Sequence, residues 1–112
     1  MISQYWTNQI PGRPLSILIK DEAGTDLDLS SYTTITAKML GSRNEEISLE
    51  GSTLNTASKS LGKIIFFWPT ERSLFNYPGD YVFQLELTGT GKKDFTSTHT
   101  IRVREFGKGN KK

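Results

Sequence analysis

A chain of 112 residues with 35% hydrophobic side chains, among them 6 Phe, 4 Tyr and 2 Trp, can bury one core and not two. Its complete lack of cysteine excludes disulfides, thiolate chemistry and cysteine-based zinc sites, and fits an intracellular product or an internally assembled particle better than a secreted domain. The net charge is only +2, and Arg102 to Lys112 holds five basic residues and one acidic, which points to a solvated tail and away from a nucleic-acid-binding face.

The start, Met1-Ile-Ser-Gln-Tyr-Trp6, has neither the basic residues nor the apolar run of a signal peptide. No stretch approaches the roughly 20 apolar residues of a membrane-spanning helix, so no membrane association is expected. From there the dominant period is two. A weak strand is expected near Tyr5 to Gln9, and a stronger one at Leu15 to Lys20, where Leu15, Ile17 and Ile19 share a face. Thr33 to Leu40 sets Ile35, Ala37 and Met39 opposite Thr34, Thr36 and Lys38. Weak strands follow at Glu46 to Leu49 and Leu54 to Ala57.

Gly62 to Trp68 is apolar on both faces, Ile64, Phe66 and Trp68 on one and Ile65 and Phe67 on the other. That is the pattern of a central strand whose second face is also covered. Thr70 to Phe75 is the one segment able to make a helical turn, with Thr70 as its cap. Asp80 to Leu87 alternates most cleanly, with Tyr81, Phe83, Leu85 and Leu87 inward. Thr88 to Asp94 reads as a loop, and Phe95 to Arg104 as the last strand, with Ile101 and Val103 inward.

Short strands at regular spacing, divided by turns at Gly24, Gly41, Gly51 and Pro78-Gly79, predict an all-β fold: a single antiparallel immunoglobulin-like β-sandwich of about seven strands. Residues 1–106 form that domain and 107–112 a basic flexible tail. A glycine two residues before Tyr81, where the strongest strand begins, matches the tyrosine corner of Greek-key sandwiches.

Catalysis finds little support. His99 is the one histidine and lies within a strand, where an imidazole has no cleft to serve. Asp21, Glu22, Asp26 and Asp28 lack calcium-loop spacing and sit where a turn is expected. Gly89 and Gly91 have no following helix and read as hairpin glycines, not a phosphate cradle. No catalytic residue, metal or cofactor is expected. Tyr5, Trp6, Trp68, Phe75 and Tyr77 are the aromatics able to stack on a sugar or base, but Trp68 continues the face of Ile64 and Phe66, so core packing is expected of it. Tyr5, Trp6 and Tyr77, with Lys108, Lys111 and Lys112 of the tail, are the candidate interface residues.

Two stretches carry a resemblance. Lys20 to Lys38 gives a turn glycine, an Asp-Leu-Ser step and an alternating strand; Gly62 to Leu87 gives glycine, strand, a connector with a leucine, Pro-Gly-x-Tyr and strand. In that order they resemble the N-terminal immunoglobulin-like domain of tailed-phage baseplate upper proteins, over about residues 10 to 105. The resemblance implies a non-enzymatic virion component of the tail or baseplate. It would bind other virion structural proteins, be repeated as a homo-oligomer, and be assembled in the host cytoplasm. That family's domain is followed by a long extension, whereas only a short basic tail follows here. A carbohydrate-binding or adhesion module using Trp6, Trp68 or Tyr77, and a capsid cement or decoration protein, are the alternatives.

Overall fold

The inward face expected of Tyr81, Phe83, Leu85 and Leu87 is buried, while the residues between them, Val82, Gln84 and Glu86, stay partly exposed. That alternation organises the rest. In a computed structural model describing residues 2–105, eight strands appear among the described residues: β1 (Ile2–Trp6), β2 (Leu15–Leu18), β3 (Tyr32–Leu40), β4 (Thr53–Asn55), β5 (Lys63–Phe67), β6 (Gly79–Gly89), β7 (Lys92–Phe95) and β8 (His99–Arg104). The 107–112 tail, with Lys108, Lys111 and Lys112, lies outside the described residues.

One sheet has the order β1-β8-β6-β3, with β7 also paired to β6; the other is β2-β5-β4. Taking β2, β5 and β4 as strands B, E and D, and β3, β6 and β8 as C, F and G, this is the two-sheet arrangement of an immunoglobulin-like sandwich. One ladder departs from the antiparallel expectation: β1 pairs β8 in parallel, from Ile2↔Thr100 to Trp6↔Arg104. These two strands come from opposite ends of the described chain, so no hairpin dictates their direction.

Inner residues of both sheets meet in a single core. Ile64 and Phe66 come from β5, with Trp68 just past its end, and Met39, Tyr81, Phe83, Leu85, Ile101 and Val103 face them from the other sheet. Phe66 and Phe83 touch edge to face across the gap, ring centroids 5.0 Å apart. Leu29, Leu74 and Phe75 plug the ends from connecting segments.

The tyrosine corner is formed. Tyr81 donates its hydroxyl to the Tyr77 carbonyl at 2.7 Å and accepts the Tyr77 N–H at 3.2 Å. Gly79 between them has φ +129, and a Cβ there would stand 2.5 Å from Ser42 Cβ, so the position admits only glycine.

Three expectations are corrected. Thr70 to Phe75 makes no helical turn, because Ser73 accepts the Phe75 N–H and donates to the Gln9 carbonyl while Leu74 and Phe75 both enter the core. The short 3₁₀ turn is instead at Lys59–Leu61. The Thr88 to Asp94 loop is mostly strand: β6 runs on to Gly89, and a tight turn at Thr90 and Gly91 (φ +69) leads into β7. Phe95 to Arg104 is not one strand either. Thr96 breaks it, taking the Leu85 N–H on its side chain, donating its own N–H to Leu85 and accepting Gln84 Nε2 on its carbonyl.

Candidate interaction surfaces

His99 opens β8 on its inward side and is half-buried, its Nε2 3.0 Å from Ser3 Oγ on β1. Burial pushes its pKa below the ordinary 6.5, since the charged imidazolium is poorly solvated there. The pair ties β1 to β8. No group of three or more His, Asp or Glu placed to hold a metal occurs among the described residues. The acidic stretch is a turn: Asp21 Oδ1 accepts the Ala23 and Thr25 N–H groups, and Asp26 pairs with Lys20 at 2.6 Å.

The aromatic candidates separate. Tyr5 turns inward, stacked on Phe75 with centroids 5.2 Å apart and edge-on to Trp68 at 5.5 Å. With Phe66 and Tyr81 these rings form one internal cluster, so Tyr5, Trp68 and Phe75 offer no exposed stacking platform. Burial pushes the Tyr5 and Tyr81 phenols above their ordinary value. Trp6 and Tyr77 do reach the surface, 40% and 43% exposed. The Arg43 guanidinium lies 3.8 Å from the centre of the Tyr77 ring and covers one of its faces.

Sequence reasoning missed two outward apolar strips. On the three-stranded sheet, Leu18 (53% exposed), Ile65 and Phe67 (41% exposed) point away from the core. The second apolar face of β5 is therefore not covered within the described chain, contrary to expectation, although the doubly apolar run was its sequence signal. On the other sheet Leu40, Val82 and Phe95 are exposed or half-exposed beside Glu86, which is held well ionised by its hydrogen bond to Lys93 and by Lys38.

The sheet edges differ most. Beside the Met39–Leu40 end of β3 runs the segment 46–50, joined by the Leu40↔Glu46 bridge and by Ile47 N–H donating to Met39. Arg72 then donates to the carbonyls of Ser48 (2.8 Å) and Glu50 (2.8 Å), occupying acceptors an incoming strand would need. β4 is only three residues long. At the end of β1, Gln9 takes the Trp6 N–H on its side chain and returns its own N–H to the Trp6 carbonyl.

β2 has none of these devices. The Ile19 N–H donates to Gly62 and the Ile19 carbonyl accepts from Leu27, so residue 19, and by alternation 17 and 15, face β5. Ser16, Leu18 and Lys20 thus aim both backbone groups away from the sheet, and no backbone bond outside the ladders reaches them among the described residues. A groove of about 520 Å³ lies alongside, between β2 and residues 94–97. No family model matches the chain, and no curated protein matches it.

Proposed function

We propose that the chain is a non-enzymatic building block of a tailed-phage particle, set in the tail or baseplate, which holds neighbouring subunits through its sheet edges and outer faces. The observation that carries the assembly role is the open edge of β2, with three successive outward residues whose backbone groups lack partners among the described residues. An edge left open over three successive outward residues presents a template for strand addition. The phage assignment rests on the two resembling stretches, Lys20 to Lys38 and Gly62 to Leu87, which build the turn-strand order of this sandwich. The adhesion reading is weaker, because Trp68 is buried and Arg43 covers Tyr77.

Quantitative mass spectrometry of particles purified from the host carrying the gene tests this. The chain is expected at a fixed copy number that follows the tail proteins in tailless or headless fractions. Co-fractionation with heads alone favours the cement reading, and absence from intact particles removes the proposal.

A further inference from the structure

We infer that β2 is a homotypic docking strand: two copies of this chain join their three-stranded sheets edge to edge, antiparallel, about a twofold axis through Ile17. The inference deepens the assembly reading above and rests on it for why such an edge is left open.

The backbone supplies the geometry. The groups that point outward belong to even-numbered residues, so a twofold through Ile17 sets Ser16 of one copy against Leu18 of the other, and Leu18 against Ser16. Each of those pairs exchanges two backbone hydrogen bonds, and the Lys20 N–H reaches the Pro14 carbonyl at each end. Pro14 has no N–H, so the ladder stops there. Nothing between Leu15 and Lys20 opposes it: the segment has no proline, no bulge and no inward-pointing charge.

Side chains agree with this register. On the inner face Ile17 meets Ile17, and Leu15 meets Ile19, so every facing pair is aliphatic. Ile17 and Ile19 are half-buried beside the groove, and the second strand extends their apolar row. On the outer face exposed Leu18 is flanked by Ser16 of the second copy.

The ends fix the register through charge. Exposed Arg13 falls opposite exposed Asp21 of the second copy, twice by symmetry. Asp21 holds its own turn with Oδ1, leaving Oδ2 for the guanidinium. Centring the axis on Leu18 sets Arg13 against Ala23, and centring it on Ser16 sets Arg13 against Ile19. Only the Ile17-centred register pairs the charges.

Sedimentation velocity across a concentration series tests the inference on the full chain, its Leu18→Pro variant and its Arg13→Glu variant. The natural chain is expected to double its sedimenting mass as concentration rises. Leu18→Pro deletes an outward N–H that the β5 ladder does not use, and should be a folded monomer by circular dichroism. Arg13→Glu should weaken the dimer roughly fivefold, as two exposed ion pairs are lost.

Should Leu18→Pro misfold, the Ile17→Cys variant decides alone, since the chain has no other cysteine. The two Ile17 positions form a non-hydrogen-bonded pair with Cα atoms about 4.5 Å apart, within disulfide reach. Oxidation should give a covalent dimer, whereas Thr53→Cys on β4 should give none. A chain monomeric at every concentration, a dimer that survives in folded Leu18→Pro, or no cross-link in oxidised Ile17→Cys overturns the inference. A monomer found in particles sinks the twofold contact and leaves virion membership standing; a dimer absent from particles does the reverse.

Discussion

The two flanks of this sandwich treat the same hazard in opposite ways. Beside the Met39–Leu40 end of β3, the 46–50 segment bridges to the sheet edge and Arg72 occupies its Ser48 and Glu50 carbonyls. The Tyr77–Tyr81 corner sits against the start of that flank, with Gly79 against Ser42 and Arg43 over Tyr77. Beside β2 there is neither a covering segment nor a capping side chain among the described residues. Unpaired backbone attracts other strands, so a protein that closes one flank with a buried corner and an arginine could close the other as cheaply. On the assembly reading proposed above, this contrast is why β2 is taken as the docking side.

The sharpest way to break this comparison is a pair of prolines one residue apart. Ile17→Pro removes an N–H used in the ladder to β5 and should cost at least about 3 kcal/mol, read by urea unfolding. Leu18→Pro removes an outward N–H and should stay within about 1 kcal/mol of the parent. Equal losses would mean that the outward groups of β2 are already bonded, and the contrast between flanks would disappear.

On the guarded flank, Tyr81→Phe keeps the ring but strands the Tyr77 backbone groups. A loss of about 1–2 kcal/mol is expected, or roughly 4–15 °C in the melting midpoint. Arg72→Ala should cost about 1 kcal/mol or less, because its bonds are exposed. Its clearer result should be self-association through the freed carbonyls, seen as light scattering that the parent lacks. If scattering is unchanged, Arg72 is not a guard.

The smallest effect concerns the tie between β1 and β8. His99 in the folded chain has a pKa below 6.5, so between the two values the unfolded chain binds the extra proton. Stability is then full above pH 6.5 and falls as pH drops through the folded value. In His99→Gln the melting midpoint should be flat over that window. The Glu86 carboxyl, depressed by Lys93, contributes only at more acidic pH and does not blur the reading.

Much of this is legible along the chain, for reasons particular to each element. The Tyr81–Leu87 alternation needs only the two-residue period of a strand with one wet face, and Pro78-Gly79-Asp80-Tyr81 announces the corner through the one residue able to take its backbone angles. Trp68 follows from the face it shares with Ile64 and Phe66. Tyr5 reads as a candidate interface residue in the sequence but packs against Phe75 inside the fold, because a strand near the chain start shows its face only once its partner β8 is known. Phe67 reads as covered but is exposed, since an apolar second face cannot reveal whether its cover belongs to the same chain.

What the sequence determined by itself is the all-β sandwich, because periodicity, turn residues and β-branched content are local and each acts within a few positions. Which strands pair, that β1 runs parallel to β8, that Thr96 breaks the last strand, and that the outward backbone groups of Ser16, Leu18 and Lys20 have no partner among the described residues were decided only by the tertiary structure. The physical reason is that a strand's hydrogen bonds are made to distant chain. Whether a backbone group is satisfied is a property of its neighbour and cannot be read from the residue that carries it.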